Sequence, residues 1–210
     1  MEVLVIADEE SKAELLQGSG INLPAIEWVS GDLSFKPSHP YTACIDLLFA
    51  NKTGRIEWLN NSLFDVVIVN AVIDTLVHMP SRFVRFNGWH TFLSRDTAEA
   101  SATDEKTKLK AAAVFEALNK KVEWVPDVPG FITARVVCSI INEAWFALEE
   151  RVSTPAEIDT AMKLGTNYPF GPFEWSERIG VANIVSLLQV LSAKQERYKP
   201  SSLLIKQLSG

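Results

Sequence analysis

The sequence predicts an α/β fold: a shortened parallel sheet flanked by helices, followed by an all-helical segment. Three observations carry this reading. Short apolar runs such as Val3 to Ala7 and Asp65 to Val72 alternate with helix-like stretches as far as Val125, the pattern of strands buried on both faces. Pro129-Gly130 then breaks the chain, and behind it Ile132, Val136, Ile140, Ala144 and Leu148 recur every four residues, with Val137, Ile141 and Trp145 beside them. That spacing is one long helix with a broad apolar face, wide enough to need more than one neighbour. Thr154-Pro155-Ala156-Glu157 reads as a capping box with proline at the first helical position, where no N–H is needed.

The elements follow in order. Val3 to Ala7 is the first strand, and Asp8 or Glu9 caps a helix through about Gln17. Ile26 to Val29 is a second strand, Leu33 to Tyr41 a proline-containing loop and Ala43 to Phe49 a third strand. Arg55 to Leu63 is a short helix, Asp65 to Val72 a fourth strand and Arg82 to Phe86 a fifth. Lys106 to Lys120 is a helix with a partly apolar face, and Val122 to Val125 is a sixth strand. The boundary falls near Asp127-Val128-Pro129, giving domains of residues 1–127 and 128–210. In the second, Asn142 and Glu143 on the apolar helix need partners if buried, so they read as a structural network. After the capping box Ile158 and Met162 face inward and Gly165 supplies the stop. Tyr168 to Phe173 is a stiff aromatic turn suited to interdomain or dimer packing, and a short helix runs to Gly180. Asn183 to Leu191 is apolar-periodic, and the tail from Lys199 is polar and expected to fray.

A chain of 210 residues suits one large or two small domains, and 47% hydrophobic residues can form a real core. The net charge of −6 argues against nucleic acid or an anionic membrane as main partner. Cys44 and Cys138 lie in apolar runs without metal spacing, as reduced core thiols of a cytoplasmic protein would. His39 and His78 sit in proline-containing loops with no metal pattern. No basic leader opens the sequence, and no apolar stretch is long enough to cross a membrane.

The first strand-to-helix turn bears on function. In dinucleotide-binding domains it reads Gly-x-Gly-x-x-Gly, so that backbone N–H groups approach a pyrophosphate at the helix N-terminus. Here it reads Ala7-Asp8-Glu9-Glu10-Ser11-Lys12, with no glycine and three carboxylates. These acidic residues suit a helix N-terminus. They also repel a diphosphate, so the cofactor position at Asp8 is degenerate. Asp32, after the second strand, is the one match to the acid that usually holds a ribose hydroxyl.

The chain reads P-G-F-I-T-A-R from Pro129, I-N-E-A from Ile141, T-P-A-E-I-D-T-A-M-K-L-G from Thr154 and Y-P-F-G-P-F-E-W from Tyr168. These segments closely resemble the C-terminal helical domain of the 3-hydroxyacyl-CoA dehydrogenases. The resemblance implies a Rossmann-like NAD-binding domain, here shortened, in front of a helical domain that forms a homodimer. It implies NAD-dependent oxidation of the 3-hydroxyl of an acyl-CoA in fatty acid metabolism. In the family a histidine in a G-x-H segment takes the hydroxyl proton and a glutamate orients it. Gly88-Trp89-His90 matches the first, and Glu99 is the best counterpart of the second, at a shorter interval than the family's. A structural histidine and a surface carboxylate are the plain alternatives. Asn70 and Arg135 match substrate-side positions. The family's N-T-S-S segment reads Asn70-Ala71-Val72-Ile73 here, so both serines are apolar, and the asparagine expected before Arg135 is Ala134. Lys106, Lys108 and Lys110 read as a solvated helix face, with a CoA phosphate as alternative partner. Two classes of function therefore stand side by side. One is a reduced dehydrogenase using His90 and Glu99. The other is a non-catalytic homologue that binds an acyl-CoA or metabolite, or acts as an interaction protein. A subunit completed by another protein is a third reading.

Overall fold

The computed structural model describes residues 1–17, 23–31 and 35–209. They form two compact units, Met1–Phe131 and Ile132–Gly210.

The first unit is a seven-stranded sheet in the order β2-β1-β3-β4-β5-β6-β7. Its strands are β1 (Glu2–Ile6), β2 (Ala25–Val29), β3 (Tyr41–Asp46), β4 (Phe64–Asn70), β5 (Phe83–Phe86), β6 (Thr97–Ala102) and β7 (Lys121–Trp124). The helices are α1 (Glu9–Gln17), α2 (Thr53–Asn61) and α3 (Glu105–Ala117). Alternate residues of the central strands feed two cores. Val3, Val5, Ala43, Ile45, Val66 and Ile68 pack with Leu15 of α1 and Val114 and Phe115 of α3. Leu4, Ile6, Cys44, Val67 and Val69 pack with Leu59 of α2. Both faces are thus covered, which is why these strands read as continuous apolar runs.

Pairing is parallel from β2 through β5. The sequence reading holds six strands, but β6 is a seventh, and it runs antiparallel to β5 and parallel to β7. Its sequence, Thr-Ala-Glu-Ala-Ser-Ala, has no branched or aromatic residue except Thr97, so it carries no strand signal. The antiparallel turn is possible because residues 87–96 return without a crossover helix.

The second unit contains α4 (Thr133–Glu149), α5 (Pro155–Thr166), α6 (Pro172–Ile179), α7 (Val181–Ser192) and α8 (Ser202–Lys206). The capping box at Thr154 forms as the spacing predicts. Gly165 does not stop α5. The helix continues to Thr166 and ends on Asn167 in the left-handed conformation (φ 57°), which asparagine tolerates. Ile158 and Met162 are half-buried, and the buried residue of α5 is Asp159, whose carboxylate accepts from the N–H groups of Phe173 and Glu174 opening α6. From Lys199 to Lys206 the tail is held in place rather than frayed. Buried Asn142 donates to the Lys199 carbonyl and accepts from Ser201 N–H, and Ser201 caps α8.

Candidate functional site

In open α/β sheets ligands bind beyond the carboxyl ends of the strands, where the strand order reverses. Here that point lies between β1 and β3. At the end of β1, Asp8 accepts from the Ser11 N–H at 2.8 Å, so one of the free donors of the α1 N-terminus is already used. That hydrogen bond is the main reason the Asp8 carboxyl sits below its ordinary pKa. Glu9 and Glu10 complete the acidic first turn. At the end of β3, Asp46 is fully buried and pairs with Arg55 through both carboxylate oxygens, each at 2.7 Å. Burial raises the Asp46 pKa, while Arg55 opposes the shift. Arg55 also donates to the Gly31 carbonyl, tying α2 to the ends of β2 and β3. Asp32 lies outside the described residues.

His90 follows β5 at the same edge. Asn70 fixes the start of its loop: the side chain donates to the Leu47 carbonyl and accepts from the Gly88 N–H at 3.0 Å. Both ends of this amide are thus used inside the fold. A Cβ on Gly88 would meet Phe86 Cζ at 2.8 Å and Asn70 Cγ at 3.0 Å, so the glycine is a steric requirement. Beyond His90, Thr91 adopts φ 75°, strained for a β-branched residue by roughly 1–3 kcal/mol. Lys120 holds the far end by donating to the carbonyls of Leu93 and Arg95, both at 2.7 Å, and burial lowers its pKa.

The imidazole is paired with carboxylates of α1. His90 Nδ1 lies 2.8 Å from Glu14 Oε2 on α1, and Nε2 lies 4.0 Å from Glu10 Oε2. The other Glu14 oxygen accepts from the Ser94 N–H at 3.3 Å. Glu99, on β6, accepts from the Asn87 side chain at 3.5 Å and carries the electrostatic attraction felt by Arg95. The ten-residue return of 87–96 brings the histidine against α1, where Glu14 stands. The hydrogen bond to Glu14 is the largest cause of a raised His90 pKa; Glu10 and Asp8 act in the same direction and burial opposes them. The structure therefore brings His90 together with Asp8, Glu10 and Glu14, and places Asn70 beside the loop. Glu14 carries no motif, so its role was not readable from the sequence.

Arg135 stands in the helical unit, on α4, lining a cleft of about 510 Å³ with Val136, Glu143, Arg197 and Tyr198. Its guanidinium lies 6.0 Å from the Tyr198 ring. Among the described residues no group of three or more His, Cys, Asp or Glu is placed to hold a metal ion, and no helix is long and apolar enough to cross a membrane.

Residues 130–209 match the family model for the 3-hydroxyacyl-CoA dehydrogenase C-terminal domain. This part of the chain is thus similar to the C-terminal domain of the 3-hydroxyacyl-CoA dehydrogenases. It is 40% identical over 109 residues to 3-hydroxyadipyl-CoA dehydrogenase of Escherichia coli (strain K12), covering 51% of this chain and 23% of the relative. It is 39% identical over 111 residues to a probable 3-hydroxybutyryl-CoA dehydrogenase of Bacillus subtilis (strain 168), covering 52% of this chain and 39% of that one. The chain thus spans well under half the length of these curated relatives. The crystal structure of (S)-3-hydroxybutyryl-CoA dehydrogenase from Ralstonia eutropha superposes with a TM-score of 0.75 at 19% identity, over 99% of this chain and 93% of the other. At that identity the likeness speaks for the fold, a Rossmann-like sheet with a helical C-terminal domain.

Proposed function

We propose that this chain is a 3-hydroxyacyl-CoA dehydrogenase-like protein of fatty acid metabolism whose NAD site is impaired. The supporting observation is the α1 turn. Asp8 occupies the Ser11 N–H, and Glu9 and Glu10 stand beside it where a diphosphate would need bare donors. This turn does not fit the dinucleotide in the pose used by glycine-rich turns. What remains is proton chemistry at His90, an imidazole whose proton affinity suits transfer to or from a substrate oxygen. The ligand class is an acyl-CoA-type small molecule, and the helical unit is the surface of a homodimer.

A second reading, a non-catalytic homologue that binds acyl-CoA or a metabolite, is favoured by Ala71, Val72 and Ala134, all buried apolar side chains where the family has polar ones. Loss of one oriented donor typically costs about 2.7–4 kcal/mol of transition-state stabilisation. Calorimetric titration with NADH and with acetoacetyl-CoA, alongside NADH oxidation in the presence of acetoacetyl-CoA, separates these readings. Acyl-CoA binding with weak or absent NADH binding is expected. Tight NADH binding would refute the impairment, and NADH-dependent turnover lost in His90→Ala would refute the non-catalytic reading.

A further inference from the structure

The carboxylate facing His90 comes from a different element than the resemblance implies. We infer that Glu14 is the positioning residue of His90, holding the imidazole with its proton on Nδ1 so that Nε2 is the atom that exchanges a proton with a ligand. This rests on the reading of His90 as the position of the family base.

Four observations carry the inference. Nδ1 lies 2.8 Å from Glu14 Oε2. An ionised carboxylate only accepts, so in the neutral ring the proton belongs on Nδ1 and the lone pair on Nε2. Glu14 is itself held, since its second oxygen accepts from Ser94 N–H and its side chain is only 15% exposed. On the Nε2 side the Glu10 carboxylate lies 4.0 Å away, on a side chain that is 80% exposed and can give way. The loop is built around this orientation: the close approach at Gly88 and the left-handed Thr91 flank the histidine. Strained backbone of this kind persists where surrounding contacts over-determine it.

The charged groups acting on the imidazole are Asp8, just before α1, and Glu10 and Glu14 on α1. Lys120 acts on Glu14 from the far end of the loop, and Arg95 and Asp96 lie within the loop itself. Glu14 is the one in direct hydrogen-bond contact, so its removal should dominate the titration.

The test is nitrogen-15 and proton NMR of the His90 ring in the full chain, titrated with pH and then with acetoacetyl-CoA. In the parent protein the neutral ring is expected to be protonated at Nδ1. Glu14→Gln, nearly isosteric, should lower the His90 pKa and mix the tautomers. Glu14→Asp should restore part of the shift, and Glu99→Gln should leave the titration in place. A merely structural glutamate would leave the tautomer unchanged. The inference is overturned if Glu99→Gln moves the titration and Glu14→Gln does not, or if the proton sits on Nε2. Acetoacetyl-CoA should shift the His90 ring signals. An intact Glu14-dependent titration with no response to acetoacetyl-CoA would overturn the family-base reading and leave the Glu14 pairing standing.

Discussion

Arg85 sits in the middle of β5 and is fully buried. Its guanidinium donates to the carbonyls of Ala71, Asp74 and Val128, pairs with Asp127 at 2.9 Å and lies 4.0 Å from the Phe131 ring. Burial lowers its pKa to about 10, while Asp127 and Asp74 hold the charge in place. It thereby fixes the segment after β4 and the exit of the first unit. Arg85→Ala should cost about 3–5 kcal/mol in denaturant unfolding, because carbonyls and a carboxylate lose a buried partner. Arg85→Lys should recover little, since one ammonium cannot reproduce the planar fork. A loss below about 1 kcal/mol would contradict this account. Sequence reading marked Arg82 to Phe86 as a strand but could not show what an arginine inside it does. Such a role depends on carbonyls far away in sequence, as does that of Glu14, which is 76 residues from His90. Residues whose role is local, such as Thr154 with Glu157, were legible because partner and spacing lie within one turn.

Elements with strong periodicity were equally legible: β1, β4 and α4 fall where apolar spacing puts them. The loop of residues 87–96 was not, because it is defined by contacts rather than by pattern. Its docking on α1 has a pH signature. The His90 pKa is raised in the folded state, chiefly by Glu14. A group of this kind stabilises the fold fully below its unfolded value of about 6.5, and the contribution is lost as pH rises through the higher folded value. Asp8 works in the opposite sense: its pKa is lowered, so its contribution exists above its unfolded value and disappears as pH falls. Unfolding of the parent and of His90→Gln should therefore differ most at about pH 6 and converge by about pH 9. Denaturant midpoints measured across that range check the expectation; a gap that widens with alkalinity would contradict the pairing.

At the scale of the whole molecule the question is what covers the helical unit. Burial already accounts for Val137, Cys138, Ile141 and Trp145 on one side of α4. On the other, Ile132 is 59% and Val136 52% exposed, four residues apart on one face, with half-buried Ile140 continuing the stripe. Leu164 on α5 is 82% exposed. Exposed apolar stripes of this kind are commonly used for association, and a second copy is the occupant proposed above for the helical unit. With a net charge of −6 per chain, two copies repel at long range, so apolar contact must drive the pairing and salt should strengthen it. Sedimentation equilibrium should return twice the chain mass, and Val136→Glu, at an already exposed position, should return the monomer with unchanged circular dichroism. If the parent chain sediments as a monomer at every salt concentration, the stripe serves a different partner and the homodimer is wrong.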